Sequence, residues 1–431
     1  MKEHSSLGRQ YSMLGAGLVA VVIVVALNLR PVLTSVGPIT GLIQQATGLD
    51  TPAMGLLASV PVLCMGLGSF VTPRVIRRTG MDGVVVLGLL ALGVFTVVRS
   101  FVPGVWLWIG TVGIGLAIGV LNTVLPPIIK RDFPTRSATI TGFYSGTLTL
   151  SAGISSGVAV PLAGATSWRV ATGIWVVFVV IGLAAWAWSM GVRGTRPGMP
   201  GKNAALADRP GGAQSASPGA NTDPEAELME TDLVTDVASS SQEPVSVWRS
   251  GLAWTITGFM GIQSLLFYLF VQWLPKIEHS HGVTEEAAGL HMTLFQIAGL
   301  VATLGLTAVQ GERADQRLGA VATSLFWAAG LTGSLLVPDL AVVWALVMGA
   351  GSGASFALAL SFISTRTRHS MEASRLSGMS QSFGYVIASF GPTLAGMLGA
   401  ELGWNAVLIM ALGLSGVLLV LGLIAGADRK I

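Results

Sequence analysis

Charge is almost absent from long stretches of this chain, and that property fixes the class of fold. Residues 13–27 carry no charged side chain, and comparable runs recur along the 431 residues. Hydrocarbon offers a backbone no hydrogen-bond partner, so runs of about 20 apolar residues read as membrane-crossing helices that satisfy themselves. The hydropathy pattern predicts twelve, near 13–45, 51–72, 83–101, 104–129, 137–163, 169–190, 250–275, 284–308, 317–336, 339–364, 374–400 and 403–425. Several exceed what a perpendicular crossing needs, so tilting or protrusion is expected. Only 10% of residues are charged, against about 25% in soluble domains. The 56 glycines suit helices that pack closely without water to drive them together. The expected fold is an all-α integral membrane protein surrounded by the lipid bilayer.

Lysine and arginine set the orientation. With the N-terminus inside, 20 of the 24 fall on inner segments, and only Arg30, Arg99, Arg169 and Lys276 remain in the outer half. Both termini are therefore expected in the cytoplasm, with the helices in the plasma or inner membrane. The isoelectric point of 9.2 reflects these short loops and implies no nucleic-acid partner. The first apolar run is too long for a cleavable signal and lacks a small-residue cleavage pattern. One cysteine, Cys64, excludes an internal disulfide. Residues 191–248 are rich in Gly, Pro, Ala and Ser, carry acids from Asp208 to Glu243, and contain no apolar run. They are expected to form a disordered linker, dividing an N-terminal six-helix bundle (1–190) from a C-terminal one (249–431).

Within the first apolar run lies an arginine, Arg30, followed by Pro31 and, further on, Pro38. An arginine at membrane depth costs roughly 2.5–3.5 kcal/mol on insertion scales, so it normally faces a partner or a water-filled cavity. Each proline removes a helix hydrogen bond, which a membrane tolerates where protein or a cavity satisfies the freed carbonyl. Arg30 is thus expected to point into a solute pathway rather than to snorkel to the surface. Its planar fork can hold a small anion at two points or stack on a planar ring. Thr34, one turn on, shares its face. Asn28 points elsewhere in an ideal helix, as a ligand or an interhelical hydrogen bond.

Other polar side chains in the spans are candidates for the same pathway. They are Asn122, Tyr144, Gln263, Tyr268, Gln272 and Gln381, with Phe267 beside them. Tyr268 and Gln272 share a helix face, and Gln263 and Phe267 a neighbouring one. Tyr385 and Gln296 complete the buried polar set. No acid falls in the middle of an expected span. His291, near the outer end of span eight, is the candidate for proton coupling, because histidine titrates near physiological pH; the alternative is a structural hydrogen bond.

The two halves echo each other. Gly115 precedes Lys130 by 15 residues in span four, and Gly351 precedes Arg366 by 15 in span ten. Both spans open on glycines and end in a basic loop. The pattern is that of a duplicated six-helix unit, its halves related by an axis along the membrane normal.

Six spans, a linker and six spans resemble the major facilitator superfamily. The segment Asn28-Leu29-Arg30-Pro31-Val32-Leu33-Thr34-Ser35-Val36-Gly37-Pro38 is similar to the signature of its cyanate permease and 2-nitroimidazole transporter branch. So are Asn122-Thr123-Val124-Leu125-Pro126, running into Ile129-Lys130-Arg131-Asp132-Phe133-Pro134, and Gln272-Trp273-Leu274-Pro275. One loop departs from the superfamily pattern. Thr72-Pro73-Arg74-Val75-Ile76-Arg77-Arg78-Thr79-Gly80 keeps the basic residues but lacks the usual Asp, and with it the gating contacts that rely on that acid. The resemblance implies alternating access, with spans one, four, seven and ten lining the path and small solutes such as cyanate or nitroimidazoles as cargo. Both importers and exporters occur in that branch. A broad drug exporter of the same fold is the alternative, but the missing intramembrane acid argues against cationic drugs. No nucleophile motif or His-Glu cluster points to an enzyme, a metal or a cofactor, and a monomer is expected.

Overall fold

The computed structural model of the chain describes residues 17–133, 137–194, 247–310, 313–368 and 370–431. Most of the expected linker, 195–246, lies outside the described residues. Among the described residues, eleven helices are long and apolar enough to cross a membrane. One of them, Thr51–Phe101, has 51 residues. At 1.5 Å per residue it would be about 76 Å long, more than twice a hydrocarbon core of about 30 Å. It turns back at Gly80, where φ is +73° and ψ 167°, a backbone region open essentially only to glycine. Residues 51–79 are numbered α2 and residues 81–101 α3. With Gly17–Thr47 as α1, this gives the twelve crossings expected from the sequence.

The others are α4 (Trp106–Asp132), α5 (Ser137–Ala165), α6 (Trp168–Gly191), α7 (Gly251–Ser280), α8 (Glu285–Gln310), α9 (Arg317–Leu336), α10 (Ala341–Thr365), α11 (Ser370–Leu402) and α12 (Trp404–Ala425). Local signals start several of them. The Asp50 carboxylate caps α2 by accepting from the Ala53 N–H, and Ser167 and Ser250 do the same for α6 and α7. Large apolar side chains such as Val94, Val180, Val301 and Ile409 remain exposed on the outside of the bundle, as a lipid-facing surface requires.

Because successive helices alternate in direction, the molecule has two ends. One carries the Lys- and Arg-rich connections and is called the basic face; the other is the opposite face. Toward the opposite face the two six-helix sets meet along three pairs. Ser59 of α2 accepts from both the backbone N–H (3.0 Å) and the hydroxyl (2.8 Å) of Thr393 in α11. Thr293 of α8 donates to the Gly153 carbonyl of α5 at 2.9 Å. Gln272 of α7 donates to the Thr40 hydroxyl of α1 at 3.0 Å. Backbones touch here: a Cβ on Gly55 would stand 2.6 Å from the Pro392 carbonyl oxygen.

Arg99, near the end of the expected third span, is buried at 5% exposure. Two expectations change. Span seven does not stop at Pro275: α7 runs on to Ser280 and carries Glu278, 5% exposed, within it. The loop at Gly80 does have an acid, placed two residues further on. Asp82 receives both terminal nitrogens of Arg131, at 2.9 and 3.3 Å, beside Asp132.

The reversal at Gly80 gives a direct test. A Cβ there would meet no atom within 4 Å, so Gly80→Ala adds backbone strain alone, of order 1–3 kcal/mol. The expected result is a lower melting temperature in detergent. Gly164→Ala, at an ordinary φ with equally open surroundings, should melt no lower than the parent.

Candidate functional site

The site begins with a broken helix. The α1 backbone is helical over 17–26, turns over 27–30, and resumes as the short helix Pro31–Thr34, a 3₁₀ turn over Gly37–Ile39 and the helix Thr40–Thr47. Breaking a helix leaves carbonyls without donors, and three of these are answered by side chains. Pro38 has no N–H for the Thr34 carbonyl, which accepts instead from Ser156 of α5 at 3.1 Å. The Val36 N–H turns to Leu33, and the Val32 carbonyl accepts from the Arg99 guanidinium of α3 at 2.7 Å. The Asn28 N–H turns to Val25, and the Asn28 side chain donates to the Val24 carbonyl at 2.7 Å.

Arg30 ends the turn and reaches across to the other six-helix set. One of its terminal nitrogens donates to the Tyr268 hydroxyl of α7 at 3.0 Å. The guanidinium lies 5.2 Å from the Phe267 ring centroid and 5.7 Å from that of Tyr268, within cation–π range. Among the described residues no carboxylate pairs with it. It borders a cavity between the halves, lined also by Ser145, Gln263, Phe267, Tyr268, Gln296 and Tyr385, with small residues of α10.

The other predicted residues divide. Gln263, Phe267 and Tyr268 join Arg30 at the cavity. Thr34, 1% exposed, bonds Ser155 of α5 at 2.6 Å and serves the α1–α5 contact. Asn28 faces α3 and α6, near Leu89 and Gly182. Tyr144 donates to the Asn122 side-chain oxygen at 2.9 Å, tying α5 to α4. Gln272 lies in the α1–α7 seam, and Gln381 bonds Ser377 on its own helix. No residue of α4 lines the central cavity among those described, because Gly115 and Gly119 press that helix against Pro61 and Met65 of α2. His291 meets Glu278 at 2.8 Å, away from the cavity. The other Glu278 oxygen is buried without a partner.

Two buried polar residues, one at the cavity and one away from it, were weakly signalled in the sequence. Gln296, 2% exposed, lines the cavity with an amide nitrogen that has no acceptor among the described residues. It was one of many buried amides. Glu278 follows Pro275, which read as a helix end. The arrangement as a whole offers one fixed cation, an unpaired amide donor and aromatic faces, and no fixed anion among the described residues. It can accept a small, flat or negatively charged solute.

Residues 12–284 and 260–430, in two overlapping matches, fit the family model described as Major Facilitator Superfamily. The chain is 34% identical over 420 residues to the 2-nitroimidazole transporter of Escherichia coli (strain K12), covering 96% of each. It is 26% identical over 394 residues to the cyanate transport protein CynX of the same organism, covering 88% of this chain and 89% of that one. The crystal structure of a D-xylose–proton symporter superposes with a TM-score of 0.65 at 12% identity, over 94% of this chain and 97% of the other. That last likeness concerns the fold alone. These relatives are transporters, and this chain is a multi-pass membrane transporter of small solutes rather than an enzyme. It belongs to the Major Facilitator Superfamily and, within it, to the family of the cyanate and 2-nitroimidazole transporters.

Proposed function

We propose that the protein carries a small anionic or planar polar solute across the membrane by alternating access, with Arg30 as the anchor. One observation carries the reading: a half-buried guanidinium at a helix break faces the cavity between the halves with no carboxylate of the described residues to neutralise it. A charge so placed is costly unless something compensates it, and a bound anion or electron-rich ring does so. Phe267 and Tyr268 hold the guanidinium plane and leave its other N–H groups for the solute. The named cargoes of the two relatives, cyanate and 2-nitroimidazole, are both small and fit that chemistry. A cationic drug would meet a like charge here, so broad efflux of such compounds is not favoured.

In this reading the basic face is cytoplasmic, both termini lie on that side, and one chain suffices. The contacts between the halves gather toward the opposite face. The conformer is therefore closed there, and solute reaches the cavity from the basic face. Gln296 supplies the second donor, on the C-terminal half, so that a bound solute touches both halves.

The anchor is tested by thermal shift of the purified protein with cyanate and with 2-nitroimidazole, followed by counterflow in liposomes. Arg30→Lys keeps the charge and loses the fork. It should weaken solute affinity by about tenfold or more, the scale of one charged hydrogen bond; parity with the parent would sink bidentate recognition. Gln296→Leu, which removes a neutral donor at similar volume, should raise the half-saturation concentration about fivefold and leave the melting temperature of the empty protein unchanged or higher.

A further inference from the structure

Three cavities follow one another from the centre toward the opposite face, and each is lined by an arginine. The central one has Arg30. The second lies among α1, α2, α3, α4, α6 and α7 and has Arg99, with Thr111, Trp168, Thr172 and Gln272. Tyr268 lines both. The third is a vestibule at the opposite face, lined by Arg99, Trp168 and Arg169. Arg99 and Trp168 therefore border the second and third together. Among the described residues, no aspartate or glutamate lines any of the three.

The charges make this more than a set of voids. Lysine and arginine gather at the basic face, and only Arg30, Arg99, Arg169 and Lys276 lie in the other half. Three of those four line this one sequence of cavities. Arg99 is 5% exposed, and its two terminal nitrogens donate only to neutral carbonyls, those of Val32 (2.7 Å) and Thr172 (3.5 Å). Its remaining N–H groups have no protein acceptor among the described residues. Arg169, on the surface, stacks on Trp168 at 5.3 Å. A neutral donor could hold both carbonyls without burying a charge, so carbonyl bonding alone does not account for an arginine here.

We infer that the second cavity is an antechamber for small anions: a site at Arg99, distinct from the one at Arg30, that holds the anion between the vestibule and the centre. Cations along low-dielectric walls concentrate anions in this way. The inference rests on the reading of the transported solute as small and anionic or electron-rich. It adds that the opposite-face route selects for negative charge before the central site is reached. A neutral planar solute gains nothing from the antechamber.

Trp168 borders both cavities, so the test needs no knowledge of the solute. Its fluorescence, taken as the difference between the full-length protein and Trp168→Phe, is quenched with iodide and separately with neutral acrylamide. Iodide should outperform acrylamide, relative to free tryptophan, by about fivefold, the enrichment expected near a unit charge about 4 Å away in water. High chloride should abolish the difference. Arg99→Gln should remove most of the iodide preference and leave acrylamide quenching unchanged, and Arg99→Lys should restore it. Arg169→Gln, an exposed change that does not depend on the core, should leave a clear iodide preference. If Arg169→Gln alone abolishes the preference, or if iodide and acrylamide quench alike in the parent, the antechamber is overturned. Arg30→Gln should leave the quenching ratio unaltered while abolishing the cyanate-induced thermal shift. Failure of the central reading is thus seen in a different signal.

Discussion

A backbone inside a membrane cannot leave its carbonyls unpaired, and α1 breaks where three of them need outside help. The three donors come from three places: Asn28 from the broken helix itself, Arg99 from α3 and Ser156 from α5. All three are within the first six helices, so the break is fixed to that half as a rigid feature. Everything distinctive about the site follows from it. Arg30 stands where the helix has come apart, so its side chain leaves the backbone in a direction that a continuous helix would not give it. Its hydrogen bond to Tyr268 crosses to the other half.

The contact between halves is built differently from the packing inside each. Toward the opposite face it depends on small residues that let backbone approach backbone, such as Gly55 against Pro392, and on hydroxyls such as Ser59 and Thr393 that bond across without bulk. Large apolar residues also meet there: Ile39, Ile43, Met54 and Leu57 of the first half share one buried cluster with Val271, Leu274 and Ile277 of the second. The interiors of the halves hold the large buried side chains, including Trp186 in the first and Trp273 and Trp327 in the second.

Much of this was legible in the chain, because the strongest signals are local. Apolar length gave the crossings, and Pro31 and Pro38 marked the break that does occur in α1. Arg30 was conspicuous because so little else in the spans is charged. What was not legible depends on tertiary contacts. Asn28 and Thr34 look like ligands in a list of polar residues, yet the Val24 and Thr34 carbonyls that Asn28 and Ser156 serve are freed only once the helix has broken, and the Thr34 hydroxyl bonds Ser155 of α5. Arg99 sits two residues before the end of its helix and counted in the sequence only as a charge of the outer half; the packing of α1 and α6 around it buries it. Glu278 was hidden by the ordinary rule that proline ends a helix, which fails where a neighbouring segment covers the freed carbonyl. Here Gly37 of α1 packs directly on the Val271 carbonyl, four residues before Pro275.

The Glu278–His291 pair joins α7 to α8, and both helices belong to the second half. Under the proposed rocking, such a pair is a passenger and not a latch: it rides with one body and neither forms nor parts as the gap between bodies changes. A proton exchanged there could influence the cycle only by straining α7 along its length. Tyr268, the residue that receives Arg30, lies on that same rod, ten positions toward the centre.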